Sequence, residues 1–359
     1  MRTPGRKEAG ALSLEVHRAD FQKALLTWYR HQARALPWRE SPSLYSTVVS
    51  EFMLQQTQVK TVLPYFARWI AELPDFAELA RAPAARVLKL WEGLGYYARA
   101  RNLHRLAQAV QERGSPPRTA QDWREMPGVG PYTAAAIASI AFGEPVACVD
   151  GNVVRILARL TADGTEFRDG ATAAKAFSPV AGRLVPAHNP GDHNQAMMEL
   201  GATVCLRRAP HCPSCPVRGH CAAARTGNPE AYPRLAQKEV ILQELTRAWC
   251  ERSGSLLLHR VPSGARRLAD LHELPTAAQA GIRPQALETG RLLAKHVRGI
   301  ARHRITESIR VFAAPGGRPR PGLCWVPLDQ IEAITLSGPH RRWVREILSA
   351  SRAGQAPSA

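Results

Sequence analysis

Between Asp20 and about Ala224 apolar residues recur every three or four positions, as in Val48, Val49, Phe52, Val59, Val62, Leu63 and Phe66, and this spacing predicts helices almost throughout. Turn signals at Leu73-Pro74-Asp75, Ser115-Pro116-Pro117 and Asn189-Pro190-Gly191 cut the run into separate helices. Beyond residue 238 the pattern changes: VILQEL and GSLLLHRV read as strands, with turns at PSG and PGGRPRPG and short helical pieces between them. The polar, proline-bearing ARTGNPEAYPRLAQ lies between the two patterns and reads as a linker. The expected organisation is a flexible N-terminus (1–19), a mostly α domain (20–224), a linker (225–237), a smaller α+β domain (238–347) and a disordered tail (348–359).

A chain of 359 residues has room for two cores. Its 48 Lys and Arg against 30 Asp and Glu give a net charge of +18, which suits a polyanionic partner, nucleic acid before others. Arg far outnumbers Lys, as bidentate phosphate contacts favour, although a GC-rich genome gives the same bias. No apolar run reaches the length of a membrane span, and MRTPGRKEAG has no apolar stretch behind its basic opening. A soluble, cytoplasmic protein is expected. Three of the seven cysteines (Cys148, Cys250, Cys324) stand alone, whereas Cys205, Cys212, Cys215 and Cys221 fall within seventeen residues. An odd, clustered set argues against a disulfide scaffold and for thiols or metal ligands in a reducing compartment. Spacing alone fits tetrahedral zinc and an iron–sulfur cube equally, with His211 and His220 as spare zinc ligands.

MPGVGPYTAAAIASIAFG (126–143) puts Gly128 and Gly130 just before an alanine-rich helix with Pro131 in its first turn. Glycines there permit positive φ and close backbone approach, and free N–H groups at the helix start attract an anion such as a DNA phosphate. An ordinary helical connection fits the same residues. Asp150 precedes another apolar-periodic helix, as an N-cap does, and a cap can also serve chemistry. Glu51 sits among apolar positions on LYSTVVSEFMLQQTQV, where the spacing allows either a buried acid or a solvated one. Gln56 and Thr57 follow in an uncharged polar cluster able to meet base edges. WEGLGYYARARNLH surrounds Leu94 and Tyr96 with glycine turns and arginines, as a base-stack wedge requires; a tyrosine packing a helix start has the same look.

Taken in order, LPWR, SEFMLQQTQV, GLGYYARARNLH, PGVGPYT, VDGNVVR, NQAMMELG and four cysteines with gaps of six, two and five resemble the helix–hairpin–helix DNA glycosylases, and among them the adenine DNA glycosylases of the MutY type. The resemblance implies a helix–hairpin–helix fold over the helical domain, with the hairpin at 126–143 and an iron–sulfur loop at 205–221 holding one [4Fe–4S] cluster on the four cysteines. It implies a monomeric base-excision-repair enzyme that flips adenine out of double-stranded DNA, opposite 8-oxoguanine or guanine, and hydrolyses its N-glycosidic bond. Glu51 then takes the general acid's place and Asp150 that of the carboxylate stabilising the positive sugar, with Tyr132 and Asn152 in the pocket. Arg34, Trp38, Arg39, Leu54 and Glu199 match adenine-contacting positions, where Glu199 accepts from the exocyclic amine. Gln56, Thr57, Leu94, Tyr96, Gly128 and Gly130 match DNA-contacting ones.

Tyr132 stands where the related endonuclease III type carries a lysine, so Schiff-base chemistry is absent at that position and a monofunctional glycosylase is expected. The C-terminal domain bears a weaker likeness to the family's Nudix-like, lesion-reading domain. Its stretch after LHELP offers only Glu288 where a Nudix hydrolase needs a glutamate cluster for Mg²⁺, which argues against pyrophosphohydrolase activity. Where the family usually carries Phe-Ser-His against the oxidised guanine, this chain reads Ile300-Ala301-Arg302. Reduced preference for 8-oxoguanine over guanine follows, with Arg298, Arg302 and Arg304 left to contact phosphate. Two rivals remain: a glycosylase of the same fold for mismatched thymine or an oxidised pyrimidine, and a catalytically inactive lesion-binding protein.

Overall fold

In the computed structural model residues 14–352 are described, apart from Lys238, Arg266 and Ala301. The first thirteen and last seven residues, and Ala301 of the Ile300-Ala301-Arg302 loop, lie outside the described residues. Among those described, the helices of eleven residues or more are α1 (Arg18–Gln32), α2 (Leu44–Leu54), α3 (Val59–Glu72), α4 (Ala98–Arg113), α5 (Pro131–Phe142), α6 (Gly151–Thr161), α7 (Gly170–Leu184), α8 (Pro190–Thr203) and α9 (Gly338–Arg352). Among the described residues no helix is long and apolar enough to cross a membrane.

The chain divides into two compact units, one running to Ala80 and resuming at Arg105–Gln237, the other made of Arg81–His104 with the chain from Lys238 onward. The first unit is helical and packs α5 against α2 and α8, and α6 against α7 and α8. Local sequence sets each start. Ser43 caps α2 in a reciprocal box with Ser46 (3.0 and 2.9 Å). Pro131 opens α5 and Gly143 closes it at φ +70°. The small side chains of α5 let its neighbours come close. Gly191 of α8 is where this matters, because a Cβ there would lie 2.8 Å from the Ser139 carbonyl oxygen. Leu14, within the span expected to be flexible, is buried in the core with Phe21, Leu25, Val154, Leu157, Phe177 and Leu200.

Residues 225–237, expected as a linker, are bound into this unit. Strand β1 (Glu166–Phe167) pairs parallel with β2 (Arg234–Leu235), and the carbonyls of Pro229 and Tyr232 accept from the buried Arg159 guanidinium (2.8 and 3.3 Å). A two-residue strand gives too short a periodicity to read in sequence.

The second unit holds two sheets. In one, β3 (Ile241–Trp249) runs parallel to β8 (His303–Val311), which pairs antiparallel with β7 (Arg291–Ile300). In the other, β5 (Ser255–Arg260) is flanked by β4 (Glu251–Arg252), β6 (His272–Glu273) and β9 (Leu323–Pro327). The apolar side of α9 joins their core through Trp343, Val344 and Ile347. α9 extends through 348–352, at the start of the expected tail. Buried Glu307 accepts from Arg247 (3.1 Å) and Arg298 (2.8 Å). Arg298 is thereby bound to Glu307 within its own unit.

Candidate active site

Two helices of the first unit turn polar faces toward one cavity of about 640 Å³. Thr47, Ser50, Glu51 and Leu54 of α2, and Gln195, Met198, Glu199 and Ala202 of α8, line it at the i, i+3, i+4, i+7 spacing of a single helix side. Tyr132 from the first turn of α5 and Asp150, Asn152 and Arg155 at the start of α6 complete the floor. Trp38, edge-on to Phe66 (5.0 Å between centroids), and Arg34 and Arg39 form a wall.

Glu51 is 6 % exposed. Burial pushes its carboxyl up to about 7 and the nearby Asp150 charge adds to this, against a hydrogen bond from Tyr132 and the Arg39 charge. The Tyr132 hydroxyl also lies 2.9 Å from Met198 Sδ. It has one proton, and a carboxylate accepts it better than a thioether, so it serves Glu51 whenever Glu51 is ionised.

Asp150 is the N-cap of α6. Its Oδ1 accepts the N–H of Asn152 (2.9 Å) and of Val153 (2.8 Å), and Oδ2 accepts Asn152 Nδ2 (3.1 Å). Burial raises its pKa above the usual carboxylate value, and these bonds and the Arg155 charge pull against that rise by favouring the ionised form. Asn152 is itself held: Arg155 Nη2 donates to its Oδ1 (2.9 Å) and to the Gly201 carbonyl (2.8 Å), while Arg155 Nε reaches the Cys205 carbonyl (2.8 Å). Gly201 of α8 lies so close that a Cβ would sit 2.5 Å from Asn152 Cβ.

Glu199 has no exposed side-chain surface. Arg34 donates to both its oxygens (Nε 2.5 Å, Nη2 2.9 Å) and Arg39 Nη1 to Oε2 (2.9 Å). Burial alone would raise its pKa, but the two guanidiniums outweigh burial and hold it below the ordinary value. Any base amine meeting Glu199 shares an oxygen already bonded to Arg34 or Arg39, so Glu199 also orients those two donors.

The residues expected to touch DNA fall into distinct settings. Gly128 takes φ +76°, as a left-handed turn requires, whereas Gly130 is extended at φ −89° and needs no positive φ. The expectation is corrected for Gly130: with nothing within 4 Å of a Cβ there, its missing side chain leaves open space at the α5 start. Gln56 is exposed at φ +57°, and Thr57 lines the cavity. In the second unit Tyr96 is 59 % exposed and Leu94 buried.

The four clustered cysteines form no disulfide and are half-buried on the loop after α8. Burial first, with the nearby Cys205, Cys221 and Cys212 charges adding to it, raises the Cys215 thiol to about 12 against a hydrogen bond from the Val217 N–H. Among the described residues no three His, Cys, Asp or Glu side chains converge as ligands of a single metal ion. His220 instead packs edge-on against Phe21 (6.0 Å). Arg159 donates to Cys205 Sγ (3.2 Å) and to the carbonyls of Leu206 (2.7 Å) and Arg207 (3.1 Å).

Sequence reasoning missed Ser50, Arg155, Gln195 and Met198 as cavity residues, although helical spacing from Leu54, Asn152 and Glu199 reaches Ser50, Arg155 and Gln195. It also missed Asn194, 2 % exposed, which accepts the Cys148 N–H (3.1 Å) and donates to Ser139 Oγ (2.9 Å) and the Val146 carbonyl (2.8 Å). Asn194 ties α8 to α5 and to the strand-like approach to Asp150.

A glycine turn precedes α5, a buried acid and a capped aspartate line one cavity, and a cysteine loop lies beyond α8; residues 49–178 match the family model of the HhH-GPD superfamily of base excision DNA repair proteins. The chain also resembles adenine DNA glycosylases. It is 46% identical over 214 residues to that of Rattus norvegicus (56% of this chain, 41% of the relative) and 40% identical over 237 residues to that of Schizosaccharomyces pombe (60% and 51%). The chain thus spans roughly half or less of the length of these curated relatives. Among solved structures, a thermostable thymine-DNA glycosylase is 28% identical with a TM-score of 0.51, covering 59% of this chain and 98% of that one.

Proposed function

We propose that this protein is a monofunctional DNA glycosylase that removes adenine mispaired with 8-oxoguanine or guanine in double-stranded DNA. The observation that carries the reading is Glu51, buried and half-protonated near neutrality, facing the same cavity as Asp150. Hydrolysis of a nucleoside bond needs an acid that still holds its proton at neutral pH, and a neighbouring charge that tolerates a positive sugar. Glu51 donates to a ring nitrogen of the flipped base, the base leaves as a neutral purine, Asp150, whose three hydrogen bonds favour its ionised form against burial, faces the oxocarbenium, and water then adds to the sugar carbon and gives its proton to Glu51. Arg34, Arg39 and Trp38 bound the base, and Tyr132 serves Glu51 where a Schiff-base lysine would otherwise stand. The net charge of +18 suits the phosphate backbone.

We read Cys205, Cys212, Cys215 and Cys221 as the ligands of one [4Fe–4S] cluster, a reading that their gaps of six, two and five support. Such a cluster supplies a rigid clamp for a basic loop, and base hydrolysis needs no electron from it. We read the second unit as a Nudix-like lesion-reading domain without hydrolase activity, its Glu288 being exposed and paired with Arg310. With Ile300-Ala301-Arg302 at the loop, preference for 8-oxoguanine over guanine is narrowed. We read the protein as a cytoplasmic monomer.

The test is single-turnover base release from duplexes carrying adenine opposite 8-oxoguanine, guanine or cytosine, and thymine opposite guanine. The last arm addresses the likeness to a thymine-DNA glycosylase. Adenine release with similar rates on the first two supports the reading, and a borohydride-trapped adduct on a lysine contradicts its monofunctional part. Release of thymine but not adenine replaces the proposed substrate.

A further inference from the structure

The turn WEGLGYYARAR holds an aromatic ring outward at some energetic cost. Gly93 (φ +107°), Gly95 (φ +72°) and Tyr96 (φ +47°) take left-handed backbone, and Tyr96 stays exposed while Trp91, Leu94 and Tyr97 around it are buried. A non-glycine residue in that region costs on the order of 1 kcal/mol, so the surroundings must impose it.

They do so from residues 331–341, far away in sequence but within the same unit. Glu92 Oε1 accepts the Leu336 N–H (2.7 Å) and Arg341 Nε (3.1 Å), and Oε2 accepts Lys89 Nζ (2.8 Å). Arg341, 5 % exposed, also donates to the Ile331 carbonyl (2.8 Å) and to that of Ile334 (2.5 Å). The Tyr97 hydroxyl donates to the Leu336 carbonyl (3.0 Å) and accepts the Gly93 N–H (3.3 Å). Gly338 at the start of α9 brings backbone against backbone, its missing Cβ 3.7 Å from Gly93 Cα. Arg99 finishes the turn from inside, donating to the carbonyls of Leu94 and Gly95 (both 3.1 Å) with its guanidinium 5.6 Å from the Tyr96 ring centre.

We propose that Glu92, Arg341 and Tyr97 are positioning residues that clasp this turn to the start of α9 and hold Tyr96 outward as a wedge for a base stack. Burying a carboxylate and a guanidinium is costly unless each is fully paired, and here the pair fixes a turn whose product is an exposed ring. A ring meant for packing would point inward, whereas one meant to enter stacked bases must be presented rigidly. The use of the wedge on DNA rests on the proposed function; the clasp itself does not.

The experiment uses the full chain with Glu92→Gln, Arg341→Lys, Tyr96→Ala and the Glu92→Gln/Tyr96→Ala double variant. Amide hydrogen exchange over 93–97 needs no DNA, and Glu92→Gln and Arg341→Lys are expected to speed it by about tenfold or more with α1–α3 and α5–α8 unchanged. In binding to a duplex with adenine opposite 8-oxoguanine, Glu92→Gln is expected to lose about as much affinity as Tyr96→Ala, on the order of tenfold, and the double variant no more than Tyr96→Ala alone. Unchanged exchange over 93–97, or losses that add in the double variant, overturn the proposal. A wild type that releases no adenine sinks the proposed function and leaves the exchange result to decide the clasp.

Discussion

Replacing the Glu51 carboxyl by an amide removes a proton donor and a buried charge together, and the two effects have opposite signs. Glu51→Gln is expected to lower single-turnover base release by about 10³-fold or more, within the range of general acid catalysis. Stability moves the other way. The folded-state pKa is raised from 4.5 to about 7, so Glu51 costs nothing below pH 4.5, and its penalty grows between there and about pH 7 and is constant above. At pH 8 the variant should be the more stable by up to about 3 kcal/mol, from 1.36 kcal/mol per pKa unit. Denaturant unfolding at pH 4 and pH 8 checks this, and an equal difference at both contradicts it. Tyr132→Phe removes a bond that lowers the Glu51 pKa, so the fall of activity on the alkaline side should move to higher pH. At this scale the sequence singled out Glu51 and Asp150 but left Glu199 apparently available. Its capture by Arg34 and Arg39 joins residues more than 150 positions apart, and no local spacing encodes such a pairing.

Helix faces carry the site at the next scale. Thr47, Ser50, Glu51 and Leu54 share one side of α2, and Gln195, Met198, Glu199 and Ala202 one side of α8; the sequence singled out Glu51, Leu54 and Glu199 of these, and which helix side meets a cavity is set by packing that local spacing does not encode. How α6 lies against α8 was not legible, because it is set by the absence of a side chain. Gly201→Ala would drive a methyl group into Asn152 and part Asn152 from Asp150. The expected result is a lower melting temperature and a loss of base release larger than the stability change explains; unaltered rates would contradict it. Asn194→Ala strips partners from the Cys148 N–H, Ser139 and the Val146 carbonyl, and should cost about 2–3 kcal/mol in equilibrium unfolding.

Across the whole molecule, the change from helical to alternating periodicity near residue 238 marked a change of fold class, and the strands expected at VILQEL and GSLLLHRV form as β3 and β5. The grouping of Arg81–His104 with the C-terminal strands lay beyond sequence, since its helical spacing is that of its neighbours and only distant hydrogen bonds, such as Arg341 to Glu92, assign it. The cysteine loop closes on Arg159, whose donors reach Leu206 within the loop and Pro229 beyond it. Cys212→Ala should give a chain lacking iron and sulfide, with a lower melting temperature for the helical unit; full metal content and unchanged melting would remove the cluster from the account.

The central claim is that a buried Glu51 delivers the proton that frees the base. Its most direct test is the pH dependence of single-turnover adenine release under saturating enzyme, in wild type and Glu51→Gln. A rate that is level in acid and falls tenfold per pH unit above about 7 in the wild type, and that loses this break in the variant, is the predicted result. A wild-type rate indifferent to pH from 5 to 9, or a Glu51→Gln variant keeping the same break, would contradict it.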